Sequence, residues 1–431
     1  VGAFMIVMGI ALLYARTGAL NFAQVGRSLG AHADALVLLA FLLIAVGYLV
    51  KAAIVPFHFW LADAHAVAPS PVCVLFSGVM VELGIYAVAR VYWTVFANAL
   101  ADHAHALRLI LLLMAAITAV VGALMCYAEH HLKRLLAFST IAHSGLMLAG
   151  VGLLLPGALG GFVLYVLSHG VIKGGLFLCA GIVLHRLQKI GEDHLHGCGR
   201  GMWATAGLFI LGAWGLAGAP PFGSLLGESM ISEAAKEAHQ NWLVYIFMFA
   251  EILTSAAVLR IAFRIFFGWG EPAPTDESSQ IEEKPETQDS HERTPAIMFT
   301  SAALLIVLGI AITLVPHLRG TAEASARVFT DQSSYTRSVL ENVHLTRAPN
   351  FDPGSPAVSL WRSCVVLLAS FLLSLGTVFR KSLGRALNFT RELELGNEWL
   401  RRAHSGHPGD YVAWLSFGTA LFGILFLWFL R

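Results

Sequence analysis

Residues 51–90 read KAAIVPFHFWLADAHAVAPSPVCVLFSGVMVELGIYAVAR. Within or beside two apolar spans this stretch sets Lys51, a proline break at Pro56, His58 and His65, a Pro-Ser-Pro turn at 69–71, and Glu82. An ionised group in hydrocarbon costs roughly 3 kcal/mol or more unless it is paired or hydrated, so charge here needs a reason. The stretch belongs in a membrane-spanning, all-α chain.

The composition agrees. Of 431 residues 57% are hydrophobic and only 13% charged, too apolar and charge-poor for an ordinary soluble domain. Apolar runs long enough to cross the hydrocarbon core as helices recur about eleven times. They fall near 1–15, 34–60, 72–93, 106–127, 132–154, 158–185, 203–235, 242–268, 296–315, 357–379 and 411–430. Two of these helices are expected to be broken. Pro56 removes a backbone donor and leaves the Ala52 carbonyl without its helical partner, and Pro220 and Pro221 do the same within GLAGAPPFGSLLGE. Broken helices at membrane depth are pointers to an ion or substrate site.

Other chemistries find little support. A net charge of +1 provides no basic face for nucleic acid. The five cysteines, Cys73, Cys126, Cys179, Cys198 and Cys364, form no C-x-x-C pair, and no phosphate-binding glycine loop or Ser-His-Asp pattern occurs. Asp193, His194, His196 and Cys198 in GEDHLHGCGRG alternate as ligands on an extended loop would, but a glycine-rich surface loop is the expectation and no metal is assigned. The segment 271–295, EPAPTDESSQIEEKPETQDSHERTP, is acidic, rich in Pro and Ser and without apolar period, and reads as a solvated linker. Lys and Arg are in excess on the side holding His65, Lys133, Arg134, Arg186, Lys189, Arg200, Lys284 and the basic run from Arg380 to Arg402, and that side is expected to be cytoplasmic under the positive-inside rule.

The ionisable residues inside the spans form a pattern. Lys51, Glu82, Lys173 and Glu228 lie near the middle of theirs. Tyr165, His169 and Lys173 recur every four residues and make a polar stripe on one helix face, and Ser139 and His143 do likewise on the preceding helix. Histidine titrates near neutrality and suits proton relay. A chain of such groups can carry protons with no cofactor.

The runs KAAIVPFHFWLADAHAVAPSPV, SGVMVELGIYAVAR, HLKRLLAFSTIAHSG, LSHGVIKGGLFLCAG and GAPPFGSLLGE, in this order over residues 1–268, resemble the antiporter-like membrane subunits shared by respiratory complex I, the group 4 and formate hydrogenlyase type of hydrogenase, and multi-subunit cation/proton antiporters. The C-terminal SGHPGDYVAWLSFG resembles the extended members of that family. The resemblance implies a proton channel of two inverted helix repeats. Lys51 would be the central lysine of the first, His169 and Lys173 the connecting relay, His143 a further axis residue and Glu228 the terminal group, with Tyr165 on the same line and His58 and His65 on a loop beside it. The division implied is 1–95 as the end of the first repeat, 96–270 as the second, 271–295 as linker, and 296–431 as an extension with an amphipathic segment at 380–410.

Glu82 stands where many members carry a lysine, and pairing with Lys51 is the expectation for it. The opening VGAFMIVMGIALLY, with no Met at position 1, is expected to belong to a chain that lacks the first helices of the family. The implied role is a non-catalytic proton-translocating subunit of a complex I-like (NADH:quinone oxidoreductase) or hydrogenase-like respiratory assembly in a prokaryotic cytoplasmic membrane. It holds no cofactor; partner subunits would carry iron–sulfur clusters and flavin or nickel–iron. The alternatives are a subunit of a Na⁺/H⁺ antiporter and a truncated structural subunit that no longer conducts.

Overall fold

The computed structural model describes residues 1–31, 33–272, 294–341, 360–379 and 408–429. Most of the linker and most of the basic amphipathic segment expected at 380–410 therefore lie outside the described residues, as do the first residues, 357–359, of the run expected at 357–379. The described chain is helical, with a single isolated bridge between His131 and Gly191.

Numbered in chain order, the helices begin with α1 (Gly2–Thr17), α2 (Phe22–Leu29), α3 (Ala35–Lys51), α4 (Phe59–Val67), α5 (Ser70–Phe96), α6 (Ala101–Ala128), α7 (Leu132–Gly152) and α8 (Pro156–Leu187). They continue with α9 (Trp203–Leu216), α10 (Ser224–Glu237), α11 (Trp242–Phe267), α12 (Ala296–Leu314), α13 (Leu318–Thr330), α14 (Gln332–Glu341), α15 (Leu360–Val378) and α16 (Pro408–Phe429). Each expected apolar run carries helix, but among the described residues only seven helices are long and apolar enough to cross a membrane. The bent pair α1 and α2, at 58°, makes an eighth. The remaining expected runs are the shorter apolar helices Ala35–Lys51 and Trp203–Leu216, cut short by the breaks, and Tyr411–Ile424, the described apolar part of α16.

Both breaks sit where the prolines place them, and their freed backbone groups find partners. α3 already stops at Lys51, since residues ahead of a proline are pushed out of helical geometry. Across 52–58 the Val55 N–H donates to Thr118 Oγ1 at 3.0 Å, and the Trp60 indole N–H donates to the Val50 carbonyl at 2.9 Å. Across 217–223 the Gly223 N–H donates to the Gly309 carbonyl at 3.1 Å, Thr313 to the Pro221 carbonyl at 3.0 Å, and Ser224 to the Gly215 carbonyl at 2.8 Å. The break is solvated by protein.

α7 lies at the centre. Apart from Arg134 every one of its residues is buried, and α6, α8, α4, α5 and α11 all pack on it. Two amphipathic helices, α13 and α14, are additions to the expected set in the stretch after residue 315; LRGTAEASARVFT has no apolar run to betray it, and α13 packs its small residues on α8.

Candidate functional site

The stripe on α8 meets a second stripe on α7. The two helices run antiparallel through the short connection 153–155, so Ser139 comes to face Lys173 and His143 comes to face His169 and Tyr165. Lys173 Nζ donates to the Leu136 carbonyl at 2.7 Å and to Ser139 Oγ. The His143 ring lies 5.1 Å from the His169 ring, centroid to centroid. Its Nδ1 shares a 2.6 Å hydrogen bond with the Tyr165 hydroxyl, and its Nε2 lies 3.1 Å from Thr254 Oγ1 on α11. Because the Thr254 hydroxyl donates to the Ala250 carbonyl at 2.7 Å, it accepts from His143 Nε2–H, which leaves Nδ1 to accept from Tyr165. The result is an oriented chain of hydrogen bonds through Tyr165, His143 and Thr254.

Glu82 joins this line from α5. Its Oε1 accepts from His169 Nδ1 at 2.9 Å, with both side chains buried. A turn of π-helix at Phe76–Met80 precedes Glu82, and there Gly78 crosses Gly170 so closely that a Cβ on Gly78 would lie 2.9 Å from the Gly170 carbonyl oxygen. Only two hydrogen side chains let these backbones meet, and that contact brings Glu82 to His169. His169 Nε2 is buried with no hydrogen-bond partner.

The expected pairing of Glu82 with Lys51 is not what the structure has. Lys51 ends α3 with its side chain exposed. The face α5 turns to α3 is that of Gly84, where a Cβ would lie 2.9 Å from the Tyr48 carbonyl oxygen. Two residues along a helix is about 200° of rotation, so Glu82 looks away from α3 and toward α8. Equal depth in the membrane does not mean equal azimuth.

The loop position expected for His65 needs correcting, whereas His58 does lie outside helix, at the end of the first break. His58 sits at the entrance of α4, ring against Phe59 at 4.3 Å, and His65 lies within α4. His65 is fully buried and stacks on Phe177 at 4.6 Å, one helical turn beyond Lys173. Pro56, Pro220 and Pro221 lie in the two breaks as expected.

Glu228, on α10 just after the second break, gives its Oε1 to Ser232 and to Arg362 of α15. Arg362 Nη2 also donates to Glu251 Oε2 on α11 at 2.8 Å. Sequence reasoning misses both partners. Glu251 is the single carboxylate of WLVYIFMFAEILTSAAVLR and meets the same rule that singles out Glu82, whereas Arg362 lies too near the edge of its run to look buried.

At the opposite end of α11, Glu192 is buried among Arg260 (3.0 Å), Arg264 (3.1 Å) and His130 (3.0 Å). Burial alone would raise its carboxyl, but Arg260 with His130 and Arg264 outweighs that and holds it at about 2. In the same loop Asp193 pairs with Arg264 at 3.2 Å and His196 bonds the Trp269 and Gly270 carbonyls, so both side chains serve to dock the loop.

A family model described as NADH:quinone oxidoreductase/Mrp antiporter, transmembrane, matches residues 1–254. The chain belongs to this family. Among curated relatives, NAD(P)H-quinone oxidoreductase chain 4-3 of Nostoc sp. is 30% identical over 274 residues, 62% of this chain and 48% of that protein. A Na(+)/H(+) antiporter subunit of Bacillus subtilis is 24% identical over 343 residues, 79% of this chain and 66% of that protein. The chain spans about half the length of the first curated relatives it matches. Among solved structures, the Mrp complex from Dietzia sp. matches with TM-score 0.67 and 28% identity, covering 79% of this chain and 68% of that one. Respiratory complex I from Thermus thermophilus matches with TM-score 0.54 and 25% identity, covering 75% and 66%. Within this antiporter-type family, Glu82, His143, Tyr165, His169 and Lys173 are brought together in one buried line; Lys51 lies apart from it, and Glu228 belongs to the cluster with Arg362 and Glu251.

Proposed function

We propose that this chain is a proton-translocating membrane subunit of a complex I-like or group 4 hydrogenase-like assembly. The observation that carries the reading is the buried line itself. Lys173, Glu82, His169, His143 and Tyr165 lie inside the bundle within hydrogen-bond or ring-contact distance of one another or of Ser139, where groups of no transport use would be costly to keep. The imidazoles of His169 and His143, next to Glu82 and Tyr165 on this line, can take up a proton on one nitrogen and give one up from the other. A change in the charge of one alters the proton affinity of the next, so a conformational or electrostatic change in partner subunits becomes movement of protons along the line. The electron-transfer cofactors, iron–sulfur clusters with flavin or nickel–iron, belong in those partners. The broken helices at 52–58 and 217–223 would each belong to one of two inverted repeats, 1–95 and 96–270.

A Na⁺/H⁺ antiporter without redox partners is the second reading. It is favoured by the longer match to the Bacillus subtilis antiporter protein and the higher TM-score against the Mrp complex. Purifying the tagged chain in mild detergent and identifying its companions by mass spectrometry and metal analysis separates the two. Iron–sulfur, flavin or nickel–iron subunits support the first reading, and small membrane proteins alone support the second.

Translocation itself is tested by Lys173→Ala in native membrane vesicles holding the assembled complex. Proton movement should fall roughly 100-fold or more, the loss expected of a positioned acid–base group. Unchanged proton movement would leave a structural anchor as the remaining role.

A further inference from the structure

Where α10 ends and α11 begins, at the end of the bundle away from Glu192, a cavity of about 340 Å³ enters between α10, α11 and α15. Lys236, Asn241 and Tyr245 line it near the surface, and the buried Glu228, Glu251 and Arg362 line it within. A space of that size and polarity holds water.

One guanidinium here faces two carboxylates. Arg362 pairs with Glu228 through Nη1 and with Glu251 through Nη2, the latter at 2.8 Å. Glu251 Oε1 is left buried with no hydrogen-bond partner, beside Gly218 of the second break. With both carboxylates ionised the cluster would carry an uncompensated buried negative charge; with one proton it is neutral. The other charged groups of the cavity do not alter the count. Glu233 is paired with Arg319 of α13, and Lys236 is exposed at the mouth.

The geometry points to a terminal proton site made of two carboxylates, Glu228 and Glu251, which Arg362 holds to a single exchangeable proton delivered to cavity water. The assignment rests on the translocation reading above. Glu251 enters it as a second proton-carrying group, and Arg362 is a positioning residue supplied by a helix beyond the family match at 1–254. Only O–H bonds change: the carboxyl gives its proton to a water, and the carboxylate regains one from the buried line.

The charge count makes a test with an unusual sign. Glu251→Gln leaves Glu228 alone against Arg362, an ion pair that is neutral without a proton and so locked. Glu251→Gln with Arg362→Gln leaves Glu228 alone and free to take one proton. In vesicles of the assembled complex, Glu251→Gln should lower proton movement on the order of tenfold or more, and the double variant should recover most of that loss. Infrared spectra of the same complexes should lose one protonated-carboxyl band in Glu251→Gln and regain one in the double variant. Arg362→Lys should keep the pH profile of the unaltered complex, while Arg362→Gln should move it to higher pH. A Glu251→Gln variant that moves protons normally, or a double variant no better than Glu251→Gln in both readouts, overturns the assignment. Lys173→Ala in the same vesicles keeps the two ideas apart. If it abolishes proton movement while the Glu251 and Arg362 variants behave as unaltered, only this inference fails; if it moves protons normally, the translocation reading has failed first.

Discussion

Glu192 and Glu82 are both buried carboxylates bonded to an imidazole, at 3.0 Å to His130 and 2.9 Å to His169. Glu192 has in addition two guanidinium groups, from Arg260 and Arg264, and sits where a loop is pinned to the start of α7 and the end of α11. Glu82 has no guanidinium; its histidine leads on to His143 and keeps one nitrogen unpartnered. Surplus cation fixes the Glu192 carboxylate in one charge state, and Glu82 has no such pair of guanidinium groups among the described residues. The first arrangement pins the loop to the bundle, and the second is the one on which the proposed proton path draws.

The comparison can be broken from either side. The largest effect is expected at Glu192. Glu192→Gln removes the anion from two buried arginines and should cost about 3–5 kcal/mol, read as a lower thermal midpoint of the detergent-solubilised chain, with little change in proton movement per assembled complex. The same carboxylate gives a pH dependence of known sign. Its folded value of about 2 lies below the ordinary 4.5, so its stabilising contribution is complete above about 4.5 and is lost as pH falls toward about 2. Proteolysis of the 188–202 loop should therefore accelerate over that window in the unaltered chain, and Glu192→Gln should cleave rapidly even at neutral pH.

Glu82→Gln should do the reverse. The amide can keep a hydrogen bond with His169, so stability should hold while proton movement drops on the order of tenfold. Equal losses of stability and transport at Glu82 would erase the distinction. The smallest effect is expected at the first break, where Thr118→Val strands the Val55 N–H and should cost about 1–2 kcal/mol, visible as faster hydrogen exchange at 52–58.

Much of this is legible in the chain itself, for identifiable reasons. Run lengths reveal spans, prolines reveal breaks, and a four-residue period reveals the stripe of Tyr165, His169 and Lys173, because these are properties of one helix at a time. What cannot be read is which faces meet. Depth alone assigns Glu82 to Lys51, and only the crossing of Gly78 with Gly170 turns it to His169. Arg362 is separated from Glu251 by 111 residues, and no local pattern joins them. α13 and α14 escape notice because they are too polar and too short to register as spans.

The enclosure of α7 bears on how the protein is made. Of the seven spans it is the least apolar, and it carries Lys133 and Arg134 at its start and Ser139, Thr140, His143 and Ser144 within. A segment of this kind gains little from lipid as it leaves the ribosome. Its neighbours in synthesis, α6 before it and α8 after, pack against it, and the three helices are expected to enter the membrane together. Substitutions on the α6 face that meets α7 would then first show themselves as failed insertion during translation, before any loss of transport could be measured.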